Sequence, residues 1–254
     1  MYVQEVSIEI NTDIGKDNIV GDFYVLMLHY VDSGQIQGES EPYINGNKVV
    51  FSLFTFEKDS LSERYNNLYI NQQIKKIEEL CNSTIQFKIA GESREGGEWT
   101  CACTTPEFYI LRTEYVCISA PLICGTCEKG IPLYRLPHYD DHGYKPILKW
   151  EENYRSCDRL QMNFEVGERW ALNQLQKADS QLSRQGREIC RGIEELTNIP
   201  TYYYLYNDKK VKGDQLLNPC PACGKKWTLE KPLHGFYRFK CDDCRIVSSK
   251  SLNF

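Results

Sequence analysis

The sequence predicts an α+β chain: a ferredoxin-like βαββαβ domain over residues 1–97, a cysteine-rich β/loop segment over 98–143, a helical region ending in a strand over 144–217, and a cysteine ribbon over 218–254. Three observations predict it. Period-two and helical patterns alternate through the N-terminal part. Apolar residues step by three or four between Ile147 and Leu196. Paired cysteines, Cys220/Cys223 and Cys241/Cys244, flank a short β-forming stretch.

Val6, Ile8 and Ile10 alternate with Glu5, Ser7 and Glu9, as in a half-buried strand. Ile19, Phe23, Met27 and Tyr30 fall at helical spacing, although Gly21 weakens a helix there and Phe23–Leu28 also reads as a buried strand. Asn45-Gly46 marks a hairpin turn, because both turn positions favour positive φ. It separates a segment near residues 35–43 from the β-rich run Val49–Phe56. Ser60-Leu61-Ser62-Glu63 reads as a capping box, and the helix behind it puts Ile70, Ile74, Ile77 and Cys81 on one face. Ile85, Phe87 and Ile89 alternate with Gln86 and Lys88, a further strand. Strand, helix, strand, strand, helix, strand is the ferredoxin-like order, with two helices on one face of an antiparallel sheet. That order carries no function by itself.

Residues 91–97 form a polar, glycine-containing linker, and Phe108–Ser119 is a β-like run inside the cysteine-rich segment. Residues 131–143, with His138-Tyr139-Asp140-Asp141-His142, read as loop. Helices resume near Pro146, a good first-turn residue. Ile147, Trp150, Tyr154 and Cys157 share one spacing, as do Ala171, Leu175, Ala178 and Leu182, and then Ile189, Ile193 and Leu196. Gly167 and Gly186 are the expected interruptions, Pro200 the stop, and Tyr202–Tyr206 a strand.

Hydrophobic content of 41% and charged content of 26% over 254 residues describe an ordinary globular chain. No apolar run approaches the roughly 18–20 residues of a membrane helix, and Met1-Tyr2-Val3-Gln4-Glu5 lacks a basic-then-apolar leader, so the expectation is a cytoplasmic protein without membrane partners. Twelve cysteines in such a compartment, some as Cys-x-x-Cys, point to metal rather than disulfides. The net charge of −5 is uneven: −7 over residues 1–97, −2 over 98–217 and +4 over 218–254. An acidic bulk opposes broad binding to a phosphate backbone.

In the ribbon, 17 residues separate Cys223 from Cys241, room for one strand out and one back. Each Cys-x-x-Cys turn presents two sulfurs on one side of a tight loop, and four thiolates suit tetrahedral zinc. Cys220, Cys223, Cys241 and Cys244 are therefore expected to bind one Zn²⁺, a closed and hence structural site. His234, in the turn between the pairs, reads as a plain turn residue within reach of the ribbon.

Upstream, Cys101-Ala102-Cys103 and Cys124-Gly125-Thr126-Cys127 are separated by 20 residues and offer a second four-cysteine set. If the β-like run between them were one unbroken strand, the pairs would lie tens of ångströms apart. A mixed set of Cys124, Cys127, His138 and His142 is the rival, although Pro137 and Gly143 bracket its histidines too tightly for a finger helix. Cys81, Cys117, Cys157 and Cys190 read as small buried apolar residues.

Several strings carry a resemblance. They are Pro121-Leu122-Ile123-Cys124-Gly125-Thr126-Cys127, Pro132-Leu133-Tyr134-Arg135-Leu136-Pro137, Cys157-Asp158-Arg159-Leu160-Gln161-Met162-Asn163, Val166-Gly167-Glu168-Arg169, the segment 199–205, and the ribbon from Cys220 to Cys244. Over roughly residues 100–250 the chain resembles a bacterial family named for a zinc ribbon and for a suspected affinity for nucleic acid. The resemblance implies zinc and suggests nucleic acid. The family pattern carries Asp140 and Asp141 but not the histidines, which argues against a role for His138 or His142.

The expected function is a non-enzymatic binding protein. No phosphate loop, dinucleotide fingerprint or nucleophile elbow appears. For single-stranded nucleic acid, Lys225, Lys226, Lys231, Arg238, Lys240 and Arg245 lie among Trp227, Phe236, Tyr237 and Phe239, cations to hold phosphates and rings to stack on bases. Zinc with four thiolates adds −2, so the ribbon's +4 falls to +2. A protein partner, as for an immunity-type protein, is the alternative, and a metal-dependent enzyme using the His138–His142 loop the second alternative.

Overall fold

The computed structural model describes residues 1–37, 41–92, 99–116, 119–139, 143–207 and 219–249. Cys117, the aspartates 140 and 141, His142 and residues 93–97 of the expected linker lie outside them. The chain divides into two compact units, residues 1–100 with 132–145, and residues 101–131 with 146–254. The cysteine-rich segment is thus shared out: its hairpin pairs with a later strand, and its end returns to the first unit.

The first unit runs β1 (Tyr2–Glu9), α1 (Lys16–Asp32), β2 (Tyr43–Asn45), β3 (Lys48–Thr55), α2 (Leu68–Cys81) and β4 (Gln86–Glu92). The sheet order is β2-β3-β1-β4, every neighbour antiparallel. Val6 and Ile8 of β1 are buried as their alternation demands, with Val49 and Phe51 of β3 and Ile19, Phe23 and Leu26 of α1. The Phe23 and Phe51 rings stack with centroids 5.8 Å apart. Helix thus wins over strand across residues 23–28, because Ile19, Phe23, Leu26, Met27 and Tyr30 bury one continuous stripe.

Three local expectations are corrected. Asn45 pairs with Lys48, so the hairpin loop is Gly46-Asn47, one residue later than expected. Gly46 supplies the positive φ, +60°, at the first loop position, where no side chain resists it. The capping box does not start α2. The Ser60 hydroxyl accepts from the Glu57 N–H at 3.0 Å and contacts the Tyr134 hydroxyl at 2.7 Å, and residues 63–65 form only a 3₁₀ turn. Asn67 caps the helix instead, its Oδ1 accepting from the Ile70 N–H at 2.9 Å. Phe87 and Ile89 are 43% and 44% exposed, because β4 lies at the edge of the sheet and, among the described residues, pairs with β1 alone.

The second unit contains β5 (Tyr109–Leu111), β6 (Leu122–Cys124), α3 (Lys145–Asn163, its first residue belonging to the first unit), α4 (Glu168–Gln176), α5 (Gln181–Thr197), β7 (Thr201–Tyr204), β8 (Thr228–Leu233), β9 (Tyr237–Cys241) and β10 (Ile246–Ser249). Its sheet order is β6-β5-β7-β10-β9-β8. β7 is central and pairs in parallel with both β5 and β10. Ile147, Trp150, Tyr154 and Cys157 are buried on α3, and Leu182, Ile189 and Ile193 on α5. Gly167 ends the α3–α4 run with φ +78°, but Gly186 sits inside α5. Leu196 is exposed, one turn beyond the buried stripe. Among the described residues no helix is long and apolar enough to cross a membrane.

Glu151 of α3 is 6% exposed, with Thr113 Oγ1 donating to it at 3.3 Å and the Arg155 guanidinium forming an ion pair with it at 3.7 Å. Burial pushes its carboxyl up to about 7, against the opposing pull of Arg155 and of the Thr113 hydroxyl. The folded chain therefore holds this proton more tightly than the unfolded chain. The associated stability is full below the ordinary carboxylate range and is lost as pH rises through about 7. Glu151→Gln is expected to stabilise the chain by on the order of 2 kcal/mol at about pH 8.5 and to be near neutral at about pH 4.5. Urea unfolding at the two pH values checks it.

Candidate metal centres

Among the described residues, two clusters of four thiols form in the second unit. Within each, all four sulfurs lie within 4.8 Å of one another. The ribbon cluster takes Cys220 and Cys223 from the turn before β8, Cys241 from the end of β9 and Cys244 from the turn into β10. The Cys223 and Cys241 sulfurs are 3.7 Å apart. Zn–S bonds of about 2.3 Å in a tetrahedron require sulfurs about 3.8 Å apart, so the donor set fits one ion.

The central cluster takes Cys101 and Cys103 from the irregular approach to β5, Cys124 from the end of β6 and Cys127 from the turn after it. The β-like run does not keep the pairs apart, because it folds back: Tyr109 pairs with Cys124 and Leu111 with Leu122. The Tyr115 N–H, in the connection, donates to Asp158 Oδ2 of α3 at 2.8 Å, which helps hold the reversal. Cys124 and Cys127 thus meet Cys101 and Cys103. Of the rival histidines, His142 lies outside the described residues, and His138 belongs to the first unit, where its ring meets Tyr144 edge-on at 6.0 Å.

The two Cys-x-x-Cys turns are one structure used twice. The Cys220 N–H donates to Lys225 O and the Gly224 N–H to Cys220 O, both at 2.8 Å. The Cys124 N–H donates to Lys129 O and the Glu128 N–H to Cys124 O, also at 2.8 Å. The residue after each second cysteine has positive φ, +74° at Gly224 and +61° at Glu128. Such turns aim N–H groups at sulfur. The Cys223 thiol is lowered to about 7, first by the Lys225 N–H and then by Cys244. Burial opposes ionisation of Cys124, but the N–H groups of Cys127 and Thr126 and its neighbouring thiols more than offset it, and its thiol lies below the usual range. Burial and neighbouring thiols push Cys101, Cys241 and Cys244 the other way, above the usual range, and the Cys127 thiol and burial do the same to Cys103. Thiolate is the metal-binding form, so a cation would have to offset that cost.

His234 makes a contact that sequence reasoning missed. Its Nε2 lies 2.6 Å from the Gly125 carbonyl oxygen, so the ribbon's turn reaches the central knuckle. Arg112 was missed too. Its Nη1 donates to the Tyr237 hydroxyl at 3.0 Å, and its guanidinium lies 4.5 Å from the Phe236 ring centroid. Both contacts join residues more than a hundred positions apart, for which a local pattern gives no signal.

The basic and aromatic residues of the ribbon are arranged differently from the expected stacking surface. Tyr237 and Phe239 are buried, and Trp227 stacks on Phe239 with centroids 4.9 Å apart, so these rings fill a small core. Lys225 pairs with Asp243, Lys240 with Asp242, and Arg245 with Glu194 at 2.7 Å. Lys226 and Lys231 are exposed and Arg238 half-exposed. Cys81, Cys157 and Cys190 are buried, and burial raises each thiol above its usual range.

Comparison with known proteins adds a lineage. Residues 103–206 match the family model Domain of unknown function (DUF2310). Residues 1–91 and 209–254 match two further domains of unknown function, DUF8589 and DUF8594. An uncharacterized protein of Haemophilus influenzae is 35% identical over 202 residues, 78% of this chain and 76% of the relative. The chain belongs to this uncharacterised bacterial family. A second uncharacterized Haemophilus influenzae protein is 37% identical over 172 residues, 66% of this chain and 83% of its own length. In this member of the family, the central cluster draws Cys103, Cys124 and Cys127 from the DUF2310 segment, and the ribbon cluster lies wholly in the DUF8594 segment.

Proposed function

We propose that this chain is a non-enzymatic binding protein whose second unit is braced by two structural Zn²⁺ ions, and that its ligand is another protein. The observation that carries the reading is the pair of all-cysteine clusters on one six-stranded sheet, one beside β6 and one beside β9. Four thiolates close the coordination of zinc and leave no position for substrate, which supports bracing over catalysis. The reducing cytoplasm would keep these thiols free to bind metal. We also assign the first unit to the ferredoxin-like class, on its βαββαβ order and its β2-β3-β1-β4 sheet.

The choice of a protein ligand rests on surface chemistry. Half of the six expected phosphate-binding cations are engaged by carboxylates, and three of the rings meant for stacking are buried. Phe164, Val166 and Trp170, around the α3–α4 junction, are 74%, 80% and 58% exposed, an apolar group of the kind that marks protein contacts. The second reading, single-stranded nucleic acid, is favoured by the exposed Lys226 and Lys231 and by the family resemblance.

Elemental analysis of zinc-replete protein should return two zinc per chain. Anisotropy of labelled single-stranded DNA and RNA at low salt should then show no binding that Lys226→Glu with Lys231→Glu abolishes. Pull-down from nuclease-treated lysate should recover a partner that Trp170→Glu loses while zinc content stays at two. Salt-sensitive nucleic-acid binding removed by the double charge reversal would overturn the protein reading.

A further inference from the structure

The first unit contains a hollow of about 780 Å³ that the metal centres do not use. It opens between the end of α1, the start of α2 and the described parts of the returning segment, residues 132–139 and 143–145, all within that unit. A volume in this range suits a small molecule rather than a polymer.

Three ring pairs line it. Tyr65 and Tyr134 meet with centroids 4.6 Å apart, His29 stacks on Tyr69 at 5.8 Å, and His138 meets Tyr144 at 6.0 Å. Such walls favour a planar guest, which can slide against one ring face and meet another edge-on. Among the described residues, neither the His29 nor the His138 imidazole is taken up by a hydrogen bond, so both keep a donor or acceptor for a ligand.

Two cations line it, and each already meets one carboxylate: Arg64 pairs with Asp59, and Lys145 with Asp32 at 3.0 Å. A guanidinium and an ammonium each carry more N–H donors than one carboxylate takes up, so both keep donors for a second anionic acceptor. Arg64 also lies 4.6 Å from the Tyr65 ring centroid, which places a cation beside an aromatic wall. The first turn of α2, beginning at Leu68, adds its partial positive charge to the same lining.

We propose that this hollow binds a small planar anion, a ring compound bearing a carboxylate or a phosphate. The rings hold the plane, and Arg64, Lys145 and the imidazoles hold the anionic group. The assignment does not depend on the zinc reading, because no lining residue is a cysteine.

Calorimetric titration of the full zinc-replete chain tests it with named probes. AMP and UMP form the phosphate arm and nicotinate the carboxylate arm. Inorganic phosphate is the anion without a ring, and adenosine the ring without an anion. At least one arm should saturate with a Kd below about 1 mM, and both controls should bind at least about tenfold more weakly. Whichever arm binds identifies the anionic group. Tyr69→Ala and Lys145→Gln change partly exposed side chains and should each weaken binding about tenfold, while zinc content and melting temperature hold. Three results would overturn the proposal: no saturation by any probe, equal binding of the controls, or undiminished binding by both variants.

Discussion

Replacing Cys241 with serine is expected to remove one of two zinc equivalents and to unfold the ribbon half of the second unit. Cys241 is buried, ends β9 and lies among three other thiols. Zinc bound by four cysteines supplies an apparent ~10–16 kcal/mol in small zinc modules, comparable with the whole stability of a domain, about 5–15 kcal/mol. The small core of Trp227, Tyr237 and Phe239 cannot replace that. The damage should spread to β7, because β10 pairs with β9 on one side and β7 on the other. It should stop short of the first unit, whose core of Val6, Phe23, Phe51 and Ile77 shares no residue with the ribbon. Hydrogen exchange with elemental analysis checks both halves: lost protection in β8–β10, retained protection in β1 and β3, and one zinc instead of two. Cys81→Ser, at a buried cysteine in neither cluster, is the control and should keep both zincs. Full zinc and full protection in the Cys241 variant would remove the metal reading of this cluster.

Gly186→Ala should destabilise the second unit by about 2–3 kcal/mol or more, although alanine is the better helix former by about 1 kcal/mol. The added methyl would lie 2.4 Å from Tyr203 Cε2 and 2.7 Å from Trp150 Nε1. Both rings are buried, their centroids 6.0 Å apart, so neither has space to retreat. The mutation therefore forces α5 away from β7 and α3. Urea unfolding followed by tryptophan fluorescence would report the loss. A gain in stability would show that the contact relaxes at little cost. Gly21→Ala is the matched comparison, since nothing lies within 4 Å of its added methyl, and there the helical gain should prevail.

The contrast between these glycines shows where a sequence is legible. Gly186 reads as a helix interruption because propensity is local, yet α5 absorbs it so that Trp150 and Tyr203 can approach. The spaced cysteines were legible, because a two-residue gap dictates a tight turn whatever surrounds it. The central four-cysteine set was legible from the same spacing, but the reversal that closes it was not, because Phe108–Ser119 contains residues that suit a strand throughout, and the reversal leans on Asp158, which is distant in sequence. The stripe of α1 and the alternation of β1 were legible because each buries one face against a large core. The start of α2 was misplaced because Ser60 spends its hydroxyl on Glu57 and Tyr134, the latter supplied by a segment seventy-four positions away. The ring-lined hollow left no motif, since its walls come from three stretches with ordinary compositions.

The central place of β7 bears on how the protein is made. Its two neighbours are β5, translated before it, and β10, translated after it. From the emergence of Tyr204 to that of Ser249, the nascent chain carries a half-built sheet with one side of Tyr202, Tyr203 and Tyr204 bare. At about 5–20 residues per second that interval lasts roughly 2–9 s. An open strand edge of tyrosines is a template for pairing with neighbouring nascent chains. Slow translation through residues 205–245, or crowding of ribosomes on one message, should therefore increase insoluble product without changing the stability of the finished molecule.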